Sequence, residues 1–323
     1  MAKTVLDKLA VSNSSAKGFS TALLIGWLLV GITQPLWAQP EAPNPATRRV
    51  LILCGLPGDD EHRNLFASVV EAIHEGLTTN LGVKAEEIRV QFGSPKKPSD
   101  GPALTASRGT CLKEEIAREA AELKALKGED ALWVIVVGHT HHDGKKVWLN
   151  VPGPDLTADE FGKLFAEVNC GEQVFWVTTP VSGFFLKPLA KPGRVVISAT
   201  EADLEVNETL YPTALADVLK NPHKETLDAD SDGRQTLFDL YVAAARNVAS
   251  GYALEKTLST EHALIDDNGD GKGSEVQLEF LPEDQGGRPP AEGAPKMPND
   301  PKLDGGRARA MVLPWTRGMT NDK

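Results

Sequence analysis

The sequence predicts an α/β fold, a mainly parallel sheet with helices on both faces followed by a further helical segment. Three observations predict it. Short apolar runs alternate with amphipathic helical stretches along most of the chain, the pattern of strand–helix–strand units. One run, Ala-Leu-Trp-Val-Ile-Val-Val at 131–137, is apolar throughout, as a central strand covered on both faces must be. After the last strand candidate, residues 228–239 place oxygen donors at positions 1, 3, 5, 9 and 12 of a loop with glycine at 6, the spacing of an EF-hand-type calcium loop.

Taken in order, residues 1–38 read as a secretory leader. Lys3 and Lys8 precede an apolar stretch at 22–32, and Leu36-Trp37-Ala38 precedes Gln39, so cleavage is expected after Ala38. The apolar run is short for a membrane span, and no stable span is expected once the leader is removed. The mature chain is therefore placed outside the cytoplasm, in a periplasm or secreted. A Pro-rich linker occupies 39–48, the α/β domain 49–222, the calcium-loop segment 223–281 and a Pro/Gly-rich irregular tail 282–323.

Strands are expected at 49–55, 88–92, 131–137, 173–178 and 194–199. Helices are expected at 60–81, 110–126, 157–168, 208–219 and 237–250. Asp59 or Asp60 is suited to cap the first helix. The third opens on Thr157-Ala158-Asp159-Glu160, a capping box. The apolar piece 310–313 in the tail is suited to dock back onto the domain.

The formal charge is −11, and about −13 without Lys3, Lys8, Lys17 and Asp7 of the leader. That balance argues against nucleic acid and anionic membrane as partners. The chain has three cysteines, Cys54, Cys111 and Cys170, too few for a disulfide framework.

In the acidic loop, Asp228, Asp230, Asp232, Arg234 through its carbonyl, Thr236 and Asp239 are the expected calcium ligands, with Gly233 supplying the sharp turn. Asp239 stands where a longer glutamate normally closes the site, so a weaker or less closed site is expected. Asp266, Asn268, Asp270 and Lys272, with Gly271, repeat the first half of that pattern and offer a possible second calcium.

In an open parallel sheet, ligands bind at the carboxyl ends of the strands. Three segments fall there: 54–60, 138–144 and 178–183. The first lacks the GxGxxG spacing and the lysine of a phosphate loop. The apolar strand ending in Gly138-His139, the next strand ending before Ser182-Gly183, and Lys191-Pro192-Gly193-Arg194-Val195-Val196-Ile197-Ser198 resemble the core of the caspase and legumain clan of cysteine peptidases. The resemblance covers roughly residues 49 to 220. It implies that His139 takes the histidine position and that Ser182-Gly183 follows the nucleophile. The nucleophile's position then falls on Pro180, and Thr140 replaces the glycine after the histidine. Without a thiolate beside an imidazole, the clan's covalent chemistry has no starting point. The chain is also similar to exported bacterial proteins that follow such a domain with an EF-hand-like loop, a Thr-Glu-His-Ala-Leu segment (260–264 here) and an Asp-Asp-x-Gly-Asp-Gly segment (266–271 here).

The expected function is an exported calcium-binding protein whose legumain- or caspase-like domain is degenerate and non-catalytic, a binding or scaffold module for a peptide or protein. The rival is an active hydrolase. A displaced thiol, Cys54, could work with His139, since their strands can be neighbours. Alternatively, His139, His141 and Asp143 form the first part of the zinc signature HxHxDH, whose final histidine is Gly144 here. Ser182 as a nucleophile has no base that the sequence places beside it.

Overall fold

The computed structural model describes residues 45–202, 204–223, 226–229, 231–288, 300 and 302–316. The leader with its cleavage point after Ala38, linker residues 39–44, loop residue Asp230 and much of the tail lie outside the described residues. In chain order the elements are β1 (Arg48–Cys54), α1 (Asp60–Thr79), β2 (Ile88–Phe92), α2 (Pro102–Thr105), α3 (Lys113–Leu123), β3 (Ala131–Val137), β4 (Thr140–His142), β5 (Val147–Leu149) and β6 (Leu156–Thr157). They continue with α4 (Ala158–Leu164), β7 (Glu172–Val177), α5 (Leu186–Leu189), β8 (Arg194–Ser198), α6 (Tyr211–Lys220), α7 (Leu237–Glu255), β9 (Leu264–Asp266) and α8 (Gly306–Ala310).

The main sheet runs β2-β1-β3-β7-β8-β9. All neighbours are parallel except β9, which pairs antiparallel with β8 through Ile197 and Ile265. The α/β class and the parallel sheet are thus as the apolar runs predict, and 131–137 is indeed a central, fully buried strand. Strand alternation divides the core in two. Val50, Ile52, Cys54, Trp133, Ile135 and Trp176 face α1, α6 and α7. Leu51, Leu53, Val134, Val136 and Phe175 face α3, α4 and α5. Each fully buried aliphatic side chain there contributes roughly 1.5–3 kcal/mol of transfer free energy.

Several boundaries differ from the sequence reading. The helix expected at 110–126 is Lys113–Leu123, because Cys111 sits in left-handed backbone at φ 62° and cannot be helical. The helix expected at 208–219 starts only at Tyr211. The capping box of α4 forms as expected, Thr157 Oγ1 accepting from Glu160 N at 3.2 Å. The small antiparallel sheet β4-β5-β6 and the edge strand β9 are additions.

α7 packs its buried face on the same core as α1 and α6. Met311 and Leu313 are buried beside it, and their backbones exchange hydrogen bonds with Leu237 N (2.9 Å) and Gln235 O (2.8 Å). Among the described residues no helix is long and apolar enough to cross a membrane.

Candidate functional site

The carboxyl ends of β1, β3 and β7 meet at one edge. Gly138, at φ 137°, lets the end of β3 approach β1 so closely that an added Cβ would stand 3.1 Å from Gly55 N. His139 follows it, half-buried, with Nε2 3.1 Å from the carbonyl oxygen of Pro57. A carbonyl can only accept, so Nε2 carries the proton and Nδ1 keeps its lone pair when the ring is neutral. The ring packs edge-on against His62 at 4.8 Å and against Phe66 at 5.1 Å.

His62 was not singled out by sequence, although its place three residues after the N-cap Asp59 was the available signal. Asp59 Oδ1 accepts from His62 N and faces His62 Nδ1, both at 2.8 Å. The other ring nitrogen lies 3.2 Å from Glu208 Oε2. The hydrogen bond to Asp59, with Glu208 adding to it, raises the His62 pKa above the usual histidine value. A carboxylate at each nitrogen favours the protonated form of the ring.

The end of β7 is closed by hydrogen bonds. Pro180 is buried, its carbonyl accepts from the Thr140 hydroxyl, and Val181 follows in left-handed backbone at φ 46°. Ser182 is wholly buried. Its Oγ accepts from Ala199 N (3.0 Å) and Thr200 N (3.1 Å) and lies 3.0 Å from Thr200 Oγ1. Ser182 therefore ties the β7 loop to the end of β8 and has no free oxygen to present as a nucleophile.

Cys54 ends β1, but its side chain points into the core on the α1 face and is fully buried. Burial pushes its thiol well above the usual range, with Cys111 adding to the effect. The displaced-thiol reading is left with no accessible thiolate beside His139. Burial likewise raises Cys170 to about 11. All three cysteines are free and buried.

His141 and His139 are not brought together. The exposed His141 ring stacks on Trp148 at 5.1 Å and pairs with Asn150 Oδ1 at 2.7 Å. Asp143 accepts from Lys145 N (2.9 Å) and Lys146 N (2.8 Å), which forms the β4–β5 turn. The partial zinc signature is thus a hairpin, with its carboxylate engaged by the backbone.

The two acidic loops share one hydrogen-bond pattern. At position 1, Asp228 accepts from Gly233 N (3.1 Å) and Asp266 from Gly271 N (2.9 Å). At position 5, Asp232 accepts from Arg234 N and Asp270 from Lys272 N, both at 2.8 Å. Gly233 and Gly271 have φ of 80° and 78°, the turn that both loops require.

At position 12 of the first loop, Asp239 is buried and accepts from Ala229 N (2.8 Å), Thr236 N (2.8 Å) and Thr236 Oγ1 (2.6 Å), capping α7. The second loop is backed by Asp304, which accepts from Ser274 Oγ at 2.5 Å. Asp267 accepts from Gly305 N (3.0 Å) and Ala308 N (2.8 Å) at the start of α8. Burial raises Asp266 and Asp304 above the usual carboxylate range and pushes Asp267 to about 6. An all-oxygen donor set with a sharp glycine turn suits a hard cation. Among the described residues, however, no three His, Cys, Asp or Glu side chains converge on one metal position; Asp230 lies outside them.

The segment Thr260–Leu264 is held from two sides. Glu261 caps α6 from a distance of 50 residues, accepting from Leu210 N (2.7 Å) and Tyr211 N (3.1 Å), and also from Tyr252 OH (2.9 Å). Glu205 accepts from Glu201 N (2.7 Å) and His262 N (3.0 Å) and pairs with the His262 ring. Burial opposes ionisation of Glu205, yet the bonds from His262 and Glu201 together hold its pKa below the usual value. The Glu205 bond in turn raises His262. Glu205 and Glu208 therefore each bond to a histidine, His262 and His62.

No family model matches this sequence, and no curated protein matches it. Among solved structures, the chain is similar to the Drosophila initiator caspase Dronc, with a TM-score of 0.41 and 10% identity over 76% of this chain and 88% of that chain. A likeness at that level assigns neither family nor activity.

Proposed function

We propose that the protein is a calcium-stabilised, non-catalytic binding module of an extracytoplasmic space, built on a caspase- or legumain-like sheet, whose strand-end edge engages a peptide or protein without cutting it. The observation that carries this reading is the closed end of β7. The position that the resemblance assigns to the nucleophile holds the buried Pro180, and the neighbouring Ser182 is bonded to Ala199 and Thr200. Covalent peptidase chemistry needs a nucleophile within hydrogen-bond reach of its base. His139 instead donates to Pro57.

Support for calcium comes from the oxygen-donor spacing of 228–239, with Asp228, Asp230, Asp232, Arg234, Thr236 and Asp239 as ligands, and from the hydrogen-bond pattern that the loop shares with 266–272. Asp266, Asn268, Asp270 and Lys272 would hold a second ion. Support for export comes from the lysine-bearing, apolar first 38 residues.

The test is an assay with a fluorogenic peptide library, with and without calcium, on the full chain and on His139→Ala. The proposal predicts no turnover by either protein. Turnover that is lost in His139→Ala would show a peptidase and overturn it.

A further inference from the structure

Glu261, His262 and Ala263 of the segment Thr260–Leu264 line a polar cavity beside the end of β8. That cavity has a volume of about 330 Å³ and lies between the end of β8, α7 and the 259–288 segment. This is the lower end of the range for ligand sites, large enough for one long side chain. Its wall carries Glu201, Glu261 and Glu275, against His262 and Arg288. His262 is already paired with Glu205, and Arg288 is exposed at the mouth. The carboxylates therefore exceed the cations available to them within the wall.

A second observation is independent of that charge. Tyr211 lines the cavity and is 1% exposed, and its hydroxyl has no hydrogen-bond partner. A buried hydroxyl without a partner costs stability. A phenolic oxygen can accept from an ammonium or guanidinium group.

A third observation concerns exposed residues next to those that line the cavity. Leu204, Val206, Leu210, Leu254 and Leu258 are all exposed, Leu204, Leu254 and Leu258 to 84%, 84% and 90%. Leu210 lies against Gly251 of α7, within 3.1 Å of where a Cβ would stand, one turn before Leu254. Asn207 Nδ2 donates to Thr260 Oγ1 at 3.3 Å, joining the 204–210 loop to the residues after Leu258. Leu210 and Leu258 directly precede Tyr211 and Ser259, which line the cavity, and exposed aliphatics so placed suit an interaction surface beside it.

We propose that this cavity receives the basic side chain, lysine or arginine, of an extended peptide whose aliphatic neighbours lie on the leucine-rich rim. The carboxylate excess and the Tyr211 hydroxyl select a donor-rich cation, and the rim selects the apolar residues that flank it. This inference rests on the binding-module reading, since it names what that module binds.

The experiment measures binding of the full chain to acetylated peptide amides by calorimetry. The probe Leu-Leu-Arg-Leu is compared with the same peptide carrying citrulline, which keeps the shape of arginine and removes its charge. Binding of the arginine peptide should be at least about tenfold tighter than that of the citrulline peptide, and Glu275→Gln should reduce it about tenfold, the equivalent of 1.4 kcal/mol. Glu275 is only half-buried and its side chain makes no capping hydrogen bond to the 3-10 turn that follows it, so its substitution should leave folding intact. The exposed Leu258→Ser should weaken both peptides alike. Equal binding of the two peptides, undiminished in Glu275→Gln, would overturn the cavity assignment and leave the module reading standing. Charge-dependent binding followed by cleavage would overturn the non-catalytic reading and leave the cavity assignment standing. No binding of either peptide would overturn the inference.

Discussion

The two acidic loops have nearly the same hydrogen-bond pattern but different anchors. The first, 228–239, stands at the surface and ends on Asp239, which belongs to the buried cap of a 19-residue helix. The second, 266–272, begins in the edge strand β9 and is pressed against the chain before β8. Position 4 makes the difference plain. Ser231 and Gly269 both adopt left-handed backbone, at φ 57° and 81°. A Cβ on Gly269 would lie 2.8 Å from the backbone of Lys191, whereas the first loop carries a serine there. One turn can thus serve as a surface loop or as a packed corner, and the burial of its carboxylates follows from which it is.

The largest expected effect is at the first loop's anchor. Asp239→Ala removes three hydrogen bonds and the N-cap box of α7, and should cost about 2–4 kcal/mol in chelator, read by urea denaturation. Asp267→Ala releases amides at the start of α8, those of Gly305 and Ala308 among them, and should cost about 1–2 kcal/mol. Equal losses would break the comparison.

Position 4 sharpens it. Gly269→Ser should destabilise by more than about 2 kcal/mol, because left-handed strain adds to a backbone collision. Ser231→Gly should stabilise by about 0.5–1 kcal/mol through relief of the same strain. Both are read as shifts in the denaturation midpoint.

The smallest effect lies beside the second loop, at the Glu205–His262 pair. Glu205 has a lowered pKa in the folded chain, so its contribution is present above the unfolded value near 4.5 and is lost as pH falls through the folded one. His262 has a raised pKa, so its contribution is fully present below 6.5 and is lost as pH rises through the folded value. The pair should therefore stabilise the fold most between those limits. NMR titration should give a His262 midpoint above 6.5 that falls in Glu205→Gln. An unchanged midpoint would remove the pair.

Much of the sheet was legible because burial on both faces leaves an apolar run that few other structures explain. The strand β4, Thr-His-His, carries no such signal, since its partners are supplied by β5. The start of α6 was misplaced at 208 because its cap is the carboxylate of Glu261, brought from another part of the fold. The spacing of the two acidic loops was visible as composition and order. The Cys54 side chain's direction was not, because it depends on strand register. His62, Tyr211 and the cavity depend on contacts between distant segments, which a sequence read element by element does not contain.

The central claim is that these loops hold calcium and that the ion stabilises the module. The direct measurement is thermal unfolding of the full chain in calcium, magnesium and chelator, beside Asp228→Ala and Asp266→Ala. A ligand that binds only the folded chain stabilises it by about 2.7 kcal/mol at a hundredfold excess over its Kd. The account predicts a rise in Tm specific to calcium, removed in Asp228→Ala and reduced in Asp266→Ala. Superimposable curves in calcium and chelator would contradict it.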